Sequence, residues 1–237
     1  MNKKKKLIGF YDYTVVLTYI GLSISVIGMT QAIAGKFRSA IVCLALSGLC
    51  DMFDGKIARS KKNRTEDEKL FGMQLDSLCD VVCFGVYPAM ICWLLGVRGA
   101  IGWLLICFYC ICSVIRLAFF NVLEIKRQQV EDGANKYYHG LPITSMAIVL
   151  PLIFMLQVFV SNETFMVALH LSLLIVGMLF VIDFKLKKPS NTFLAVIVFV
   201  VAVAVIITIL FSNFRIPKWN FPPNGLSDGL RRFLFNK

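Results

Sequence analysis

Apolar residues in this chain come in long blocks, unlike the strict alternation of a half-buried strand or the narrow stripe of a surface helix. The blocks run Tyr13–Ala34, Arg38–Ala58, Gln74–Leu95, Ala100–Leu123, Leu141–Val160, Thr164–Ile182 and Thr192–Phe211. Each is near the ~20 residues that a helix needs to cross a bilayer, so the pattern predicts seven spans joined by polar links. Composition agrees: the 237 residues are 58% hydrophobic with a mean hydropathy of +0.74, too apolar for one soluble domain. The expected class is all-α, a polytopic membrane helical bundle.

Charge sets a direction across the membrane. Four lysines, Lys3 to Lys6, precede the first span. Lys61, Lys62, Arg64 and Lys69 lie in the second link, Lys126, Arg127 and Lys136 in the fourth, and Lys185, Lys187 and Lys188 in the sixth. The alternate links hold only Lys36, Arg38 and Arg98. Positive-inside bias therefore places the amino terminus and the even links in the cytoplasm. The tail breaks this pattern: seven spans put Asn213–Lys237 outside, yet it carries Arg215, Lys218, Arg231, Arg232 and Lys237. The basic start, apolar run and Ala32-Ile33-Ala34 imitate a signal peptide, but uncut membrane starts share these features, and the first helix is expected to stay. The net charge of +11 fits topology and anionic lipid headgroups and gives no reason to invoke nucleic acid.

The exceptions within the apolar blocks carry the chemistry. Asp51 and Asp54 are three residues apart, and Asp76 and Asp80 four apart, so each pair shares one helix face. An aspartate at the centre of a spanning helix costs roughly 2.5–3.5 kcal/mol on insertion scales, and intramembrane acids usually mark an ion or substrate site. A purely oxygen-donor cluster suits hard divalent cations such as magnesium, manganese or calcium, and four carboxylates give room for two ions. Gly55, Ala58 and Arg59 follow the first pair, while Gly72, Asp76 and Asp80 repeat every four residues. Bare glycines beside acids leave space for a flat group, such as a base or ribose with its pyrophosphate, or for close helix packing.

Other polar or soft residues have plainer readings. The eight cysteines all lie in or at apolar runs and form no disulfide framework. Cys107-x-x-Cys110-x-Cys112 imitates a zinc motif but fits small, polarizable core residues better. His139 reads as interfacial and His170 as packed or hydrogen-bonded. Glu66-Asp67-Glu68 with its lysines reads as a solvated link, and Asp183 with Lys185 as a helix-end pair.

The string Asp51-x-x-Asp54-Gly55-x-x-Ala58-Arg59, followed by Gly72-x-x-x-Asp76-x-x-x-Asp80, resembles the signature of the CDP-alcohol phosphotransferases, integral membrane enzymes of phospholipid synthesis. All eight signature positions match. The family's common gap between arginine and second glycine is eight residues, against twelve here, Ser60 to Phe71. Such extra length in a polar loop is cheap. Gln74-Leu75-Asp76-Ser77-Leu78-Cys79-Asp80, Phe84-Gly85-Val86-x-Pro88-Ala89, Arg116-Leu117-Ala118-x-x-Asn121 and Gly140-Leu141-Pro142 further resemble the subgroup that makes phosphatidylserine.

The resemblance implies a six-helix catalytic core with an additional C-terminal helix, homodimers formed through membrane helices, and a two-metal site using magnesium or manganese. It implies transfer of a phosphatidyl group from CDP-diacylglycerol to L-serine with release of CMP. Asp51, Asp54, Asp76 and Asp80 would be metal ligands, Asp80 also the base, and Gly55, Ala58, Arg59 and Gly72 would bound the CDP moiety. Arg116 would meet a phosphate or the serine carboxylate, or else serve as a helix-packing partner for an acid. The expected division is a basic juxtamembrane segment over 1–12, a transmembrane core over 13–183, and an apolar helix with a basic tail over 184–237. The chain is expected in a bacterial cell membrane, its site facing the cytoplasm. Two alternatives stand: a sister enzyme using glycerol 3-phosphate or inositol, and a divalent cation transporter with the acids as its ion path.

Overall fold

The structure, a computed structural model, describes residues 8–61, 64–130, 137–187 and 190–210. Its described residues form seven helical rods: α1 Tyr13–Ile33, α2 Phe37–Ser60, α3 Glu66–Leu95, α4 Gly99–Val130, α5 Ile143–Leu156, α6 Asn162–Val181 and α7 Asn191–Leu210. They coincide in order with the seven apolar blocks. Five (α1, α3, α4, α6 and α7) are long and apolar enough to cross a membrane. The protein is an integral membrane protein. The second rod has the length but carries Arg38, Asp51 and Asp54 among its apolar residues. The fifth is shorter than its apolar block, because the chain turns at Gln157–Val160 before Ser161 caps α6 through a bond from the Thr164 amide at 3.2 Å.

Small residues let α1 and α2 pack closely. Gly21, Ser25, Gly28 and Ala32 are all buried on one face of α1, a spacing that allows close backbone approach without a hydrophobic drive between helices. A Cβ at Gly21 would fall 3.3 Å from Cys50 Cβ, and Ser25 Oγ donates to Ser47 Oγ at 2.8 Å. Gly35, at φ +75°, turns the chain between the two helices, as a C-terminal glycine in the left-handed region commonly does.

The third rod begins earlier than the apolar pattern indicates. Thr65 caps it, accepting from the Glu68 amide at 3.2 Å while the Glu68 carboxylate accepts from the Thr65 amide at 3.0 Å. This reciprocal box, with Glu66, Asp67 and Glu68 in the first turn against the positive helix end, converts the expected solvated link into helix. The extra residues before Gly72 are thus largely absorbed as helical turns. Directly after Asp80 the helix widens into a π-helical stretch, Val81–Val86. Tyr109 Oη from α4, fully buried, donates to the Phe84 carbonyl at 2.5 Å, and Cys110 Sγ approaches the Gly85 carbonyl at 3.9 Å. Local widening of this kind is frequent at functional sites.

The links meet at one end of the bundle. Strand β1 (Tyr137–His139) pairs antiparallel with β2 (Lys185–Lys187), Tyr138 opposite Leu186. Gly140, at φ +72°, sits where a Cβ would meet the Ile182 and Phe180 carbonyls at 3.2–3.3 Å. At the first helix, Lys61 Nζ bonds Asp12 Oδ2 at 2.8 Å, and Phe10 meets Phe71 edge-on at 5.5 Å. The second link thus meets the segment before the first helix, and the fourth link meets the sixth. The tail over 211–237, His139's side chain and the lysines at 3–6 lie outside the described residues.

Asp12 lies just outside the first span. Burial favours its neutral acid, but hydrogen bonds from Lys61 and from the Thr14 hydroxyl and amide outweigh this and hold its carboxyl down at about 2. Because the folded value is depressed, its contribution to stability is present above the ordinary 3.8 and is lost as pH falls toward about 2. Lys61 is shifted upward chiefly by its bond to Asp12, so its share holds below its ordinary 10.5 and is lost as pH rises past the raised value. The expected result is a small lowering of the thermal midpoint by Asp12→Asn at pH 6 that disappears as pH approaches 2, measured by unfolding in detergent.

Candidate metal and donor site

Helices α2 and α3 bring the acids together. One carboxylate oxygen from each of Asp51, Asp76 and Asp80 lies within 4.8 Å of the others. Asp80 is buried at 9% exposure and Asp54 at 7%. The Asp51 carboxyl stands within hydrogen-bond reach of Asp80, and Asp54 within reach of Asp76. Asp54 also accepts from Thr18 Oγ1 of α1 at 3.2 Å. The two pairs predicted as separate helix faces thus form one cluster, with Asp54 at its α1 side.

The donor set fits a hard divalent cation. Asp76 Oδ1 is buried with no hydrogen-bond partner, and an acceptor left bare among other carboxylates is costly unless a cation satisfies it. Oxygen-only ligation is what magnesium and manganese prefer. Among the described residues this is the one group of three or more acids, histidines or cysteines placed to hold a metal. All eight cysteines are free, and His170 Nδ1 pairs with the Met166 carbonyl at 2.7 Å. The His170 bond matches its reading as a hydrogen-bonded residue, whereas Cys107, read as a core residue, is exposed.

A cavity between α1, α2 and α3 joins polar and apolar walls. It is only water-sized, and Asp51, Asp54 and Asp80 line it together with Leu17, Leu22 and Phe84. Gly55 of α2 is half-buried beside Asp54. Ala58 and Arg59 continue the same helix, but their side chains lie outside the described ones. Gly72 presents bare backbone one turn before Asp76, and Arg64 lies across it.

Arg116 of α4 is buried at 5% exposure. Its Nε donates to the Leu141 carbonyl at 3.0 Å, and its guanidinium lies 5.4 Å over the Phe120 ring. Nearby on the same helix, Asn121 Oδ1 accepts from Ser77 Oγ at 2.8 Å, tying α4 to the acid-bearing face of α3. Sequence reasoning did not connect Thr18 with Asp54 or Arg64 with Gly72. Thr18 sits in an unremarkable apolar run, whereas the Thr65-x-x-Glu68 cap was a visible signal for how Arg64 is placed.

The profile of the family described as CDP-alcohol phosphatidyltransferase matches residues 14–176. The chain belongs to this family. Among curated CDP-alcohol phosphatidyltransferase relatives, the Saccharomyces cerevisiae protein named CDP-diacylglycerol–serine O-phosphatidyltransferase is 40% identical over 108 residues, 44% of this chain and 38% of that protein. Proteins of the same name from Methanocaldococcus jannaschii and Helicobacter pylori are 28% and 27% identical. These matches cover 87% and 89% of this chain, and 86% and 76% of the relatives. The chain spans less than half the length of several other curated relatives it matches. Family membership sets aside the transporter reading, and it agrees with a six-helix core, α1 to α6, followed by an additional helix, α7.

Proposed function

We propose that this chain transfers the phosphatidyl group from CDP-diacylglycerol to the hydroxyl of L-serine, giving phosphatidylserine and CMP. The observation that carries the reading is the convergence of Asp51, Asp76 and Asp80 within 4.8 Å inside a membrane bundle, in a family whose relatives are named for this reaction. Asp51, Asp54, Asp76 and Asp80 would hold magnesium or manganese, with carboxylates enough for two ions. When bound, the metal neutralises pyrophosphate charge and stabilises CMP as it leaves.

The chain's own groups do the rest. Gly55, Ala58, Arg59 and Gly72 bound the CDP slot. The serine hydroxyl oxygen forms a bond to the lipid-side phosphorus while the bond from that phosphorus to the CMP oxygen breaks. Asp80 accepts the hydroxyl proton, a role that needs a carboxylate within reach of the attacking oxygen. Arg116 meets the serine carboxylate or a phosphate. On the positive-inside bias of the basic links this chemistry would face the cytoplasm, and two chains would pair through their membrane helices as a homodimer.

The test is CMP release by the purified chain in detergent with CDP-diacylglycerol and manganese or magnesium, comparing serine, glycerol 3-phosphate and inositol. Serine alone is expected to drive release, and a chelator to abolish it until the metal is restored. Release driven only by another alcohol would keep the family and overturn serine.

A further inference from the structure

We propose that Arg64 is a donor-binding residue whose guanidinium, laid over the bare face of Gly72, grips the cytidine diphosphate portion of the donor. The inference rests on the transferase reading above and adds a residue that stands outside the eight signature positions.

Three observations converge on this arginine. A Cβ at Gly72 would fall 2.5 Å from Arg64 Nη2 and 3.6 Å from its Cζ, so the guanidinium occupies space that any side chain at position 72 would take. Nη2 donates to the Glu68 carbonyl at 2.9 Å, a bond held by the Thr65–Glu68 capping box. Nε is buried and has no hydrogen-bond partner among the described residues. An unpaired N–H on a permanent cation is costly to bury, and an incoming anion would satisfy it without breaking the Nη2 bond.

Position and charge choose the ligand. Gly72 precedes Asp76 by four residues, about 6 Å along the helix axis, so the guanidinium stands one turn from the carboxylate cluster. Asp51, Asp54, Asp76 and Asp80 bring concentrated negative charge, and a nucleoside diphosphate brings more. A metal offsets that charge at the acid end, and an arginine at the other end supplies a planar fork matched to phosphate oxygens. Lys61 Nζ, 3.5 Å from both Glu68 carboxylate oxygens, steadies the same turn from the link.

The experiment measures CDP binding by calorimetry to the purified full chain in detergent with manganese, for the wild type, Arg64→Ala, Arg64→Lys and Gly72→Ala. Arg64→Ala should weaken CDP affinity about tenfold, as expected for losing a charge-assisted contact. Arg64→Lys should fall between, because an ammonium keeps the charge but lacks the fork. The unfolding midpoint should not move. Gly72→Ala should weaken binding in the wild type and much less in the Arg64→Ala background, since the two share one contact. In turnover, KM for CDP-diacylglycerol should rise with kcat and the acceptor KM unchanged. Unchanged affinity in Arg64→Ala would overturn the assignment, as would tighter binding, which would make the arginine an obstruction. Arg64-dependent CDP binding without CMP release to any acceptor would overturn the transferase reading and leave Arg64 in place.

Discussion

Replacing Asp80 by asparagine is expected to lower CMP release at saturating substrate by at least about 100-fold, the lower end of what a positioned general base contributes. The variant keeps the side chain's size and should fold, because Asp80 sits beside Asp51 and an amide there can donate to the remaining carboxylate. What it loses is a proton acceptor and one of three converging anionic oxygens. The check is initial-rate CMP release beside the unfolding midpoint in detergent. A folded variant retaining wild-type turnover would remove Asp80 from the chemistry.

The largest structural effect is expected at Gly28. A Cβ there would fall 1.8 Å from Tyr87 Oη, 2.6 Å from Tyr87 Cζ and 2.7 Å from Cys43 Cβ, where α1, α2 and α3 meet. Tyr87 is fully buried and its hydroxyl donates to the Ala40 carbonyl at 2.6 Å, so the ring cannot retreat without leaving that bond. Alanine improves helix propensity by about 1 kcal/mol. Overpacking costs about 1–3 kcal/mol or more, and the lost hydrogen bond adds about 1. Gly28→Ala should therefore destabilise by a few kcal/mol and lower the unfolding midpoint markedly. Tyr87→Phe in the same chain should recover part of the loss, because it removes the atom in closest conflict. An unchanged midpoint would mean that the three helices can part at this point.

The architecture was legible because a membrane imposes a coarse code: seven apolar blocks became seven rods in the expected order. The acid cluster was legible because Asp51 and Asp54, and Asp76 and Asp80, repeat at helical spacing inside apolar segments. Boundaries were less so. Reading Glu66-Asp67-Glu68 as a solvated link followed its polarity and missed that these acids suit a helix start after Thr65. The π-helical stretch after Asp80 had no local signal, since its freed carbonyls are satisfied by Tyr109 and Cys110 from another helix. The β1–β2 pairing joins residues of two links that are far apart in sequence, Tyr138 to Leu186, and share only their place at one end of the bundle. Thr18, a threonine in an apolar run, becomes a site residue only when α1 packs on α2 and meets Asp54.

The most direct test of the central claim is transfer of label from [14C]serine into extractable lipid by the purified chain with manganese. The account predicts label in a lipid that comigrates with phosphatidylserine, formed only when CDP-diacylglycerol is present and in step with CMP release. CMP released to another alcohol while serine stays in the aqueous phase would contradict it.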